Sequence, residues 1–306
     1  MKNQSTTKSR RETHINHYIK EYLISCEDRG LSQNSVLMYT HAMNRFTEYI
    51  QVEYIEDLDH HCINSCIGKM RIQGLSMSSI RYFMTIYKCF ASWLNKQEYA
   101  NIRIALLESV KHTTHKRVIL SDREIKNILN SFDTSTIEGL RDRAIVSFLA
   151  TSGLRVSELC SLNREDIPQE ALLKRVSRIT VRGKGGKNET VFLTMHTYNH
   201  IREYLHRCTE KNRALFLSKN TKTMKWNRMS RTAIYNMVKK AGIRADVQYP
   251  ISPHTLRHYT ATKYLRHNQN LYAVKEIMRH KSIVTTQIYL HYGQQDIENI
   301  VAKVMN

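Results

Sequence analysis

At 306 residues the chain is longer than one compact core usually absorbs, so two domains are expected. Its 47 Lys and Arg against 27 Asp and Glu leave a formal charge of +20, a balance that favours a polyanionic partner without deciding between DNA and RNA. The first residues carry no apolar stretch that would serve as a signal peptide, and no run of about eighteen apolar residues occurs, so no membrane span is expected and the protein reads as cytoplasmic.

In chain order, Ile15, Tyr18, Ile19, Tyr22, Leu23 and Cys26 fall at helical spacing and mark the buried face of a first helix that ends at Gly30. Gly30-Leu31-Ser32 then opens a second helix, with Ser32 as its cap and Val36, Tyr39, Met43, Phe46 and Ile50 inward. The same G-L-S-x-x-S-aliphatic pattern returns at Gly74 to Ile80, before a helix bearing Ile80, Phe83, Tyr87, Phe90 and Leu94. Residues 13–98 therefore read as helical hairpins, and the basic stretch that follows, 99–115, reads as a linker able to lie along phosphates.

Between the hairpins, His60, His61, Cys62 and Cys66 are close enough in sequence to suggest tetrahedral zinc. A second Cys/His pair at zinc-finger distance is missing, and cysteines four apart on a helix usually pack as small apolar residues, so no metal is expected. The six cysteines show no disulfide rhythm and are expected as free thiols.

From residue 116 onward the pattern is again mostly helical, starting with a capping box in which Ser121 faces Glu124. One strand region interrupts it. Val176, Ile179 and Val181, then Gly183-Lys184-Gly185-Gly186-Lys187, then Thr190 to Leu193 read as two strands around a glycine turn. That turn lacks the G-x-x-x-x-G-K-[ST] spacing of a nucleotide-binding loop and opens no helix. The fold class expected is mainly α with a small antiparallel sheet.

Four separated stretches then gain meaning together: Thr151 to Leu159, reading T-S-G-L-R-V-S-E-L; Gly183-Lys184-Gly185; His254-Thr255-Leu256-Arg257-His258; and His280 through Tyr289. In order and spacing they resemble the tyrosine recombinases, or phage integrase family, which carry T-G-L-R-x-S-E-L, a β-turn lysine, H-x-L-R-H and G-H-x-x-x-x-x-T-x-x-Y. The resemblance spans the chain: it implies an N-terminal helical, SAM-like core-binding domain over 13–98 and an α+β catalytic domain over 116–306.

The resemblance implies DNA strand cleavage and rejoining through a 3′-phosphotyrosine, independent of metal, ATP or cofactor. Arg155 and Arg257 would hold the scissile phosphate, matching guanidinium forks to phosphate oxygens. Tyr289 would be the nucleophile, its hydroxyl with an ordinary pKa near 10 needing cationic neighbours or a base. His254 would assist its deprotonation, His280 would donate to the phosphate, and Lys184 would protonate the departing 5′ oxygen. Glu158 would orient a basic neighbour. Two positions depart from the pattern: Arg279 stands where glycine usually precedes the histidine, and Glu189 where an arginine often follows the lysine turn.

The resemblance further implies duplex DNA with an inverted-repeat site, a homotetrameric synapse with a dimer on each site, and accessory DNA-bending proteins. Ile297, Ile300, Val301 and Val304 form an apolar stripe expected to dock a C-terminal helix, on its own domain or on a neighbour. The chain resembles the compact members, which include chromosome-dimer resolvases and transposon-encoded recombinases, and its departures lean toward a mobile element. Competing readings are chromosome or plasmid dimer resolution, a nicking and closing enzyme of the topoisomerase IB type, and a catalytically silent DNA-binding regulator.

Overall fold

The computed structural model describes residues 14–110, 119–168, 175–183, 186–220, 222–268, 270–280 and 282–287. The chain divides into two compact units, 1–116 and 117–306.

The first unit holds helices α1 (Ile15–Asp28), α2 (Gln33–Tyr49), α3 (His60–Ile72) and α4 (Met77–Lys96). The repeated Gly-Leu-Ser explains its two sharp corners. Gly30 takes φ +74° and Gly74 φ +72°, the left-handed conformation that a residue without Cβ adopts cheaply at a helix end. At each corner the glycine N–H returns to the helix, Gly30 to the Glu27 carbonyl at 2.8 Å and Gly74 to that of Arg71 at 2.9 Å. The following leucine N–H reaches one turn further back, from Leu31 to Cys26 and from Leu75 to Met70, while both leucine side chains pack on the core. Ser32 and Ser76 then cap the next helices, their hydroxyls accepting from the Ser35 and Ser79 N–H groups at 3.3 and 3.2 Å. The same short sequence pattern thus makes the same stop, corner and restart twice.

The core between these helices is aromatic: Phe46 lies 4.6 Å from Tyr87 and Tyr22 lies 5.2 Å from Phe90, centroid to centroid, in tilted pairs. Cys66 is fully buried among them, its thiol pushed up to about 12 by burial and donating to the Cys62 carbonyl. It packs as a core residue. The core also extends past residue 98. Ile102 and Leu107 are buried in it, and two asparagines clamp the irregular backbone there: Asn95 takes both polar groups of Ile102, and Asn64 accepts from the Glu108 N–H and donates to the Leu106 carbonyl. Residues 99–110, read from the sequence as linker, therefore belong to the first unit.

The second unit comprises α5 (Asp122–Asn130), α6 (Ile137–Ser152), α7 (Val156–Ser161), β1 (Val176–Arg182), β2 (Asn188–Thr194), α8 (Met195–Arg207), β3 (Leu217–Lys219), β4 (Trp226–Arg228), α9 (Arg231–Arg244), α10 (Pro253–Asn268), α11 (Leu271–Met278) and α12 (Ile283–Gln287). The Ser121 capping box is formed, with the Ser121 N–H donating to Glu124 at 2.7 Å. Helix α6 carries apolar residues on nearly every side and is the spine of the unit, packing on α5, α8, α10 and β2. Strands β1 and β2 pair antiparallel from Val176 opposite Thr194 to Arg182 opposite Asn188; Ser177, Ile179 and Val181 point inward and the alternate residues outward.

A second hairpin, β3 with β4, pairs Leu217 with Arg228. Sequence reading gave this unit one strand region only, because strands of three residues are too short to show alternation. No described helix is long and apolar enough to cross a membrane.

The corner at Gly74 makes a prediction. A Cβ added there meets nothing within 4 Å, so Gly74→Ala carries only the backbone cost of the left-handed conformation, about 1 kcal/mol. Ser76→Ala, which removes the cap, is expected to cost about 1 kcal/mol as well. Urea unfolding followed at Trp93, with Trp226 replaced by Phe, measures both.

Candidate active site

Helix α6 ends at Gly153, which adopts φ +61°; a Cβ there would lie 2.7 Å from the Met278 sulfur and force that side chain to move. Leu154 is buried behind it, and this anchors the next residue, Arg155, at the mouth of α7. Arg155 has no capping oxygen of its own. Its backbone N–H is accepted instead by Glu158 Oε2 at 2.9 Å, and its guanidinium by Glu158 Oε1 at 2.5 Å. The R-x-x-E spacing thus places one carboxylate to fix both the main chain and the side chain of Arg155.

Helix α10 opens with Pro253, whose missing N–H costs nothing in the first turn. Helical periodicity then sets His254, Arg257 and His258 along one face and turns Leu256, fully buried, to the core. The Arg257 guanidinium is 5 % exposed and donates to the carbonyls of Gly153 and Met278, so it ties the end of α6 to the end of α11.

Helix α11 stops at Arg279, which takes the left-handed conformation (φ +55°) that glycine would adopt more easily. The turn expected of the family pattern is therefore kept by a residue that pays strain for it. The His280 N–H returns to the Lys275 carbonyl at 3.0 Å, and its buried ring meets Thr286 Oγ1 through Nδ1 at 2.9 Å. The Arg279 carbonyl accepts from Arg155 Nη2 at 2.8 Å, which joins α7 to this turn.

The charges feel one another. Burial, then the guanidiniums of Arg257 and Arg155, hold the His254 imidazole below its ordinary pKa. Burial, then Arg257, Arg155, Arg279 and His258, push His280 down to about 4. Burial alone would raise the Glu158 carboxyl, but Arg279, the Arg155 N–H and the Arg155 guanidinium outweigh it and keep the group below the ordinary carboxylate range. Both histidines are thus neutral near pH 7, beside fixed cations.

Of the residues singled out in the sequence, Arg155, Glu158, His254, Arg257 and His280 come together here. Lys184 and Tyr289 lie outside the described residues, as does the apolar stripe from Ile297 to Val304. Three participants escaped the sequence reading. The Gly153 carbonyl gave no signal because it is backbone, and Thr286 stood in the sequence only as the T of the T-x-x-Y stretch, with no role attached to it. The third is a contact between Glu189 and Arg279, visible in sequence only as two departures of opposite charge. In the first unit, Asp59, His60 and His61 have potential ligand atoms within 4.8 Å of one another, and Asp59 is engaged as the cap of α3.

Residues 117–296 match the model of the phage integrase family, and residues 16–98 that of the phage integrase N-terminal SAM-like domain. The chain is 31 % identical over 298 residues to the tyrosine recombinase XerD of Staphylococcus aureus (strain Mu50 / ATCC 700699), covering 94 % of this chain and 97 % of the relative. Its fold is similar to that of a lambda integrase dimer bound to a core site (TM-score 0.72, 15 % identity, 94 % of this chain and 81 % of that one). It is also similar to the Tn1549 transposon integrase in complex with circular intermediate DNA (TM-score 0.70, 18 % identity, 93 % and 98 %). The chain belongs to the phage integrase family and is a tyrosine recombinase, an enzyme that breaks and rejoins DNA.

Proposed function

We propose that this enzyme performs site-specific recombination on duplex DNA carrying an inverted-repeat site, with Arg155, Arg257, His254, His280, Lys184 and Tyr289 as its catalytic set. The observation that carries the reading is the convergence of Arg155, Arg257, His254 and His280 from three separate helix ends, oriented by Glu158 and by backbone carbonyls. The net charge of +20 suits a phosphate backbone.

In the proposed step the Tyr289 hydroxyl oxygen attacks the scissile phosphorus and its proton passes to His254, which is neutral and able to accept it. The bond from phosphorus to the 5′ oxygen breaks, and Lys184 supplies the proton to that leaving oxygen. One phosphodiester is exchanged for another, a 3′-phosphotyrosine, so the bond energy is conserved and the 5′ hydroxyl of a partner strand reverses the step without ATP. Negative charge grows on the non-bridging oxygens in the five-coordinate state, where cations fixed beforehand stabilise it by several kcal/mol. The contact between His280 Nδ1 and Thr286 Oγ1 suits either tautomer; the proposed step uses the one in which Nδ1 accepts from Thr286 and Nε2 donates to the phosphate.

The proposed assembly is a tetramer, with a dimer on each site and DNA-bending accessory proteins. The proposed role is in a mobile element, by cointegrate resolution or by integration and excision, and it rests on the departures at Arg279 and Glu189. Chromosome or plasmid dimer resolution is the second reading. A plasmid carrying two copies of the site separates recombination from mere relaxation of supercoils.

Incubation with labelled DNA from around its own gene is expected to give a covalent complex on a denaturing gel with the wild type and none with Tyr289→Phe. A covalent band that survives Tyr289→Phe would overturn the assignment, and salt-sensitive binding without any covalent band would favour a regulator. Separately, the His280 ring is expected to titrate in NMR at about 4 rather than near its ordinary 6.5. Because its folded pKa is the lower one, the stability it contributes is complete above about 6.5 and is lost as the pH falls toward 4. His280→Gln should flatten the stability profile over that window.

A further inference from the structure

Arg279 and Glu189, the two residues that break the family pattern, meet across the site. Arg279 Nε lies 3.3 Å from Glu189 Oε2, and the Arg279 side chain is only 6 % exposed. The rest of that guanidinium is spoken for: Nη2 donates to Glu158 Oε2 at 2.9 Å and to the Gly153 carbonyl at 3.3 Å, and Nη1 to the Ile277 carbonyl at 3.0 Å. Glu189 Oε2 in turn stands 3.7 Å from Arg155 Nη1. Among the described residues, both carboxylates that touch Arg155 therefore also touch Arg279.

Two costs show that this arrangement is specified rather than incidental. An arginine in left-handed backbone is strained, and a buried guanidinium is costly unless carboxylates or carbonyls surround it. Glu189 also needs a bare neighbour: a Cβ on Gly183 would fall 2.5 Å from the Glu189 carboxyl carbon. Glycine at 183 lets the acid fold back over the hairpin toward Arg279. Among the described residues neither Glu189 Oε2 nor Arg279 Nε has a hydrogen-bond partner, and their mutual attraction holds that pair of buried atoms in place.

We propose that Arg279 is a positioning residue for Arg155, acting through Glu158 and Glu189, and that Arg279 and Glu189 function only as a pair. The inference rests on the reading of Arg155 as a phosphate-binding residue and adds a residue to it. Glycine at 279 with an acid at 189 leaves two carboxylates competing for Arg155 and draws its fork away from a phosphate. Arginine at 279 engages both acids and leaves Arg155 one-third exposed. Restoring the family-like pair, glycine at 279 with arginine at 189, removes the need for the clasp.

The test is the single-turnover rate of covalent complex formation at saturating protein, with DNA affinity and melting temperature measured on the same variants. Arg279→Gly and Glu189→Gln are each expected to slow the rate about 10- to 100-fold, the range that slight misplacement of a reacting group costs, with affinity within about three-fold of wild type. Arg279→Gly combined with Glu189→Arg is expected to recover to within about five-fold, a coupling that independent sites would not show. Glu189→Gln changes no shape, so it keeps the proposal testable if Arg279→Gly fails to fold. Wild-type rates in the single variants, or a combined variant slower than either, would overturn the proposal. Tyr289→Phe is run alongside: if it abolishes the complex while Arg279→Gly and Glu189→Gln match wild type, only this inference falls. If Tyr289→Phe still forms the complex, the reading of the site falls.

Discussion

The Gly153 carbonyl is the point on which the site depends. Arg257 from α10 and Arg279 from the end of α11 both donate to it, and it stands immediately before the segment that carries Arg155. Several guanidiniums so close together repel one another. They are held by this carbonyl, by those of Met278 and Arg279, and by the carboxylate of Glu158. The chain's own groups make the arrangement, and cations fixed in this way leave little reorganisation for the reaction itself. It also adds to the lowering of the His254 and His280 pKa values: burial is the larger cause, and the cationic neighbours disfavour a further charge.

The geometry in turn restricts the sequence. Glycine suits position 153 for two reasons: its left-handed backbone, and the Met278 sulfur packed where a Cβ would be. Arg155 and Glu158 are spaced so that one helical turn brings acid to base, and Pro253 starts α10 so that His254 and Arg257 share a face. The motif spacings are thus consequences of helix geometry around one carbonyl group.

Much of this was legible in the residues. The two Gly-Leu-Ser corners, the Ser121 capping box, the glycine hairpin and the mainly helical fold follow from local rules, and local rules can be read in order along a chain. What was not legible lies beyond local rules. Residues 99–110 looked like linker because irregular backbone has no period, yet Asn64 and Asn95 clamp it to the first core. The hairpin of β3 and β4 is too short to alternate. Arg279 and Glu189 each read as a lapse from the pattern, since nothing local shows that residues so distant in sequence meet.

A double-mutant cycle between Arg155 and Glu158 tests most directly whether the carboxylate serves the site by orienting the guanidinium. Single-turnover covalent complex formation is measured for Arg155→Ala, Glu158→Gln and the combination. If Glu158 acts through Arg155, adding Glu158→Gln to Arg155→Ala slows the reaction no further. A double variant whose loss is the product of the two single losses would mean that Glu158 works independently, and the account of an oriented arginine would fail.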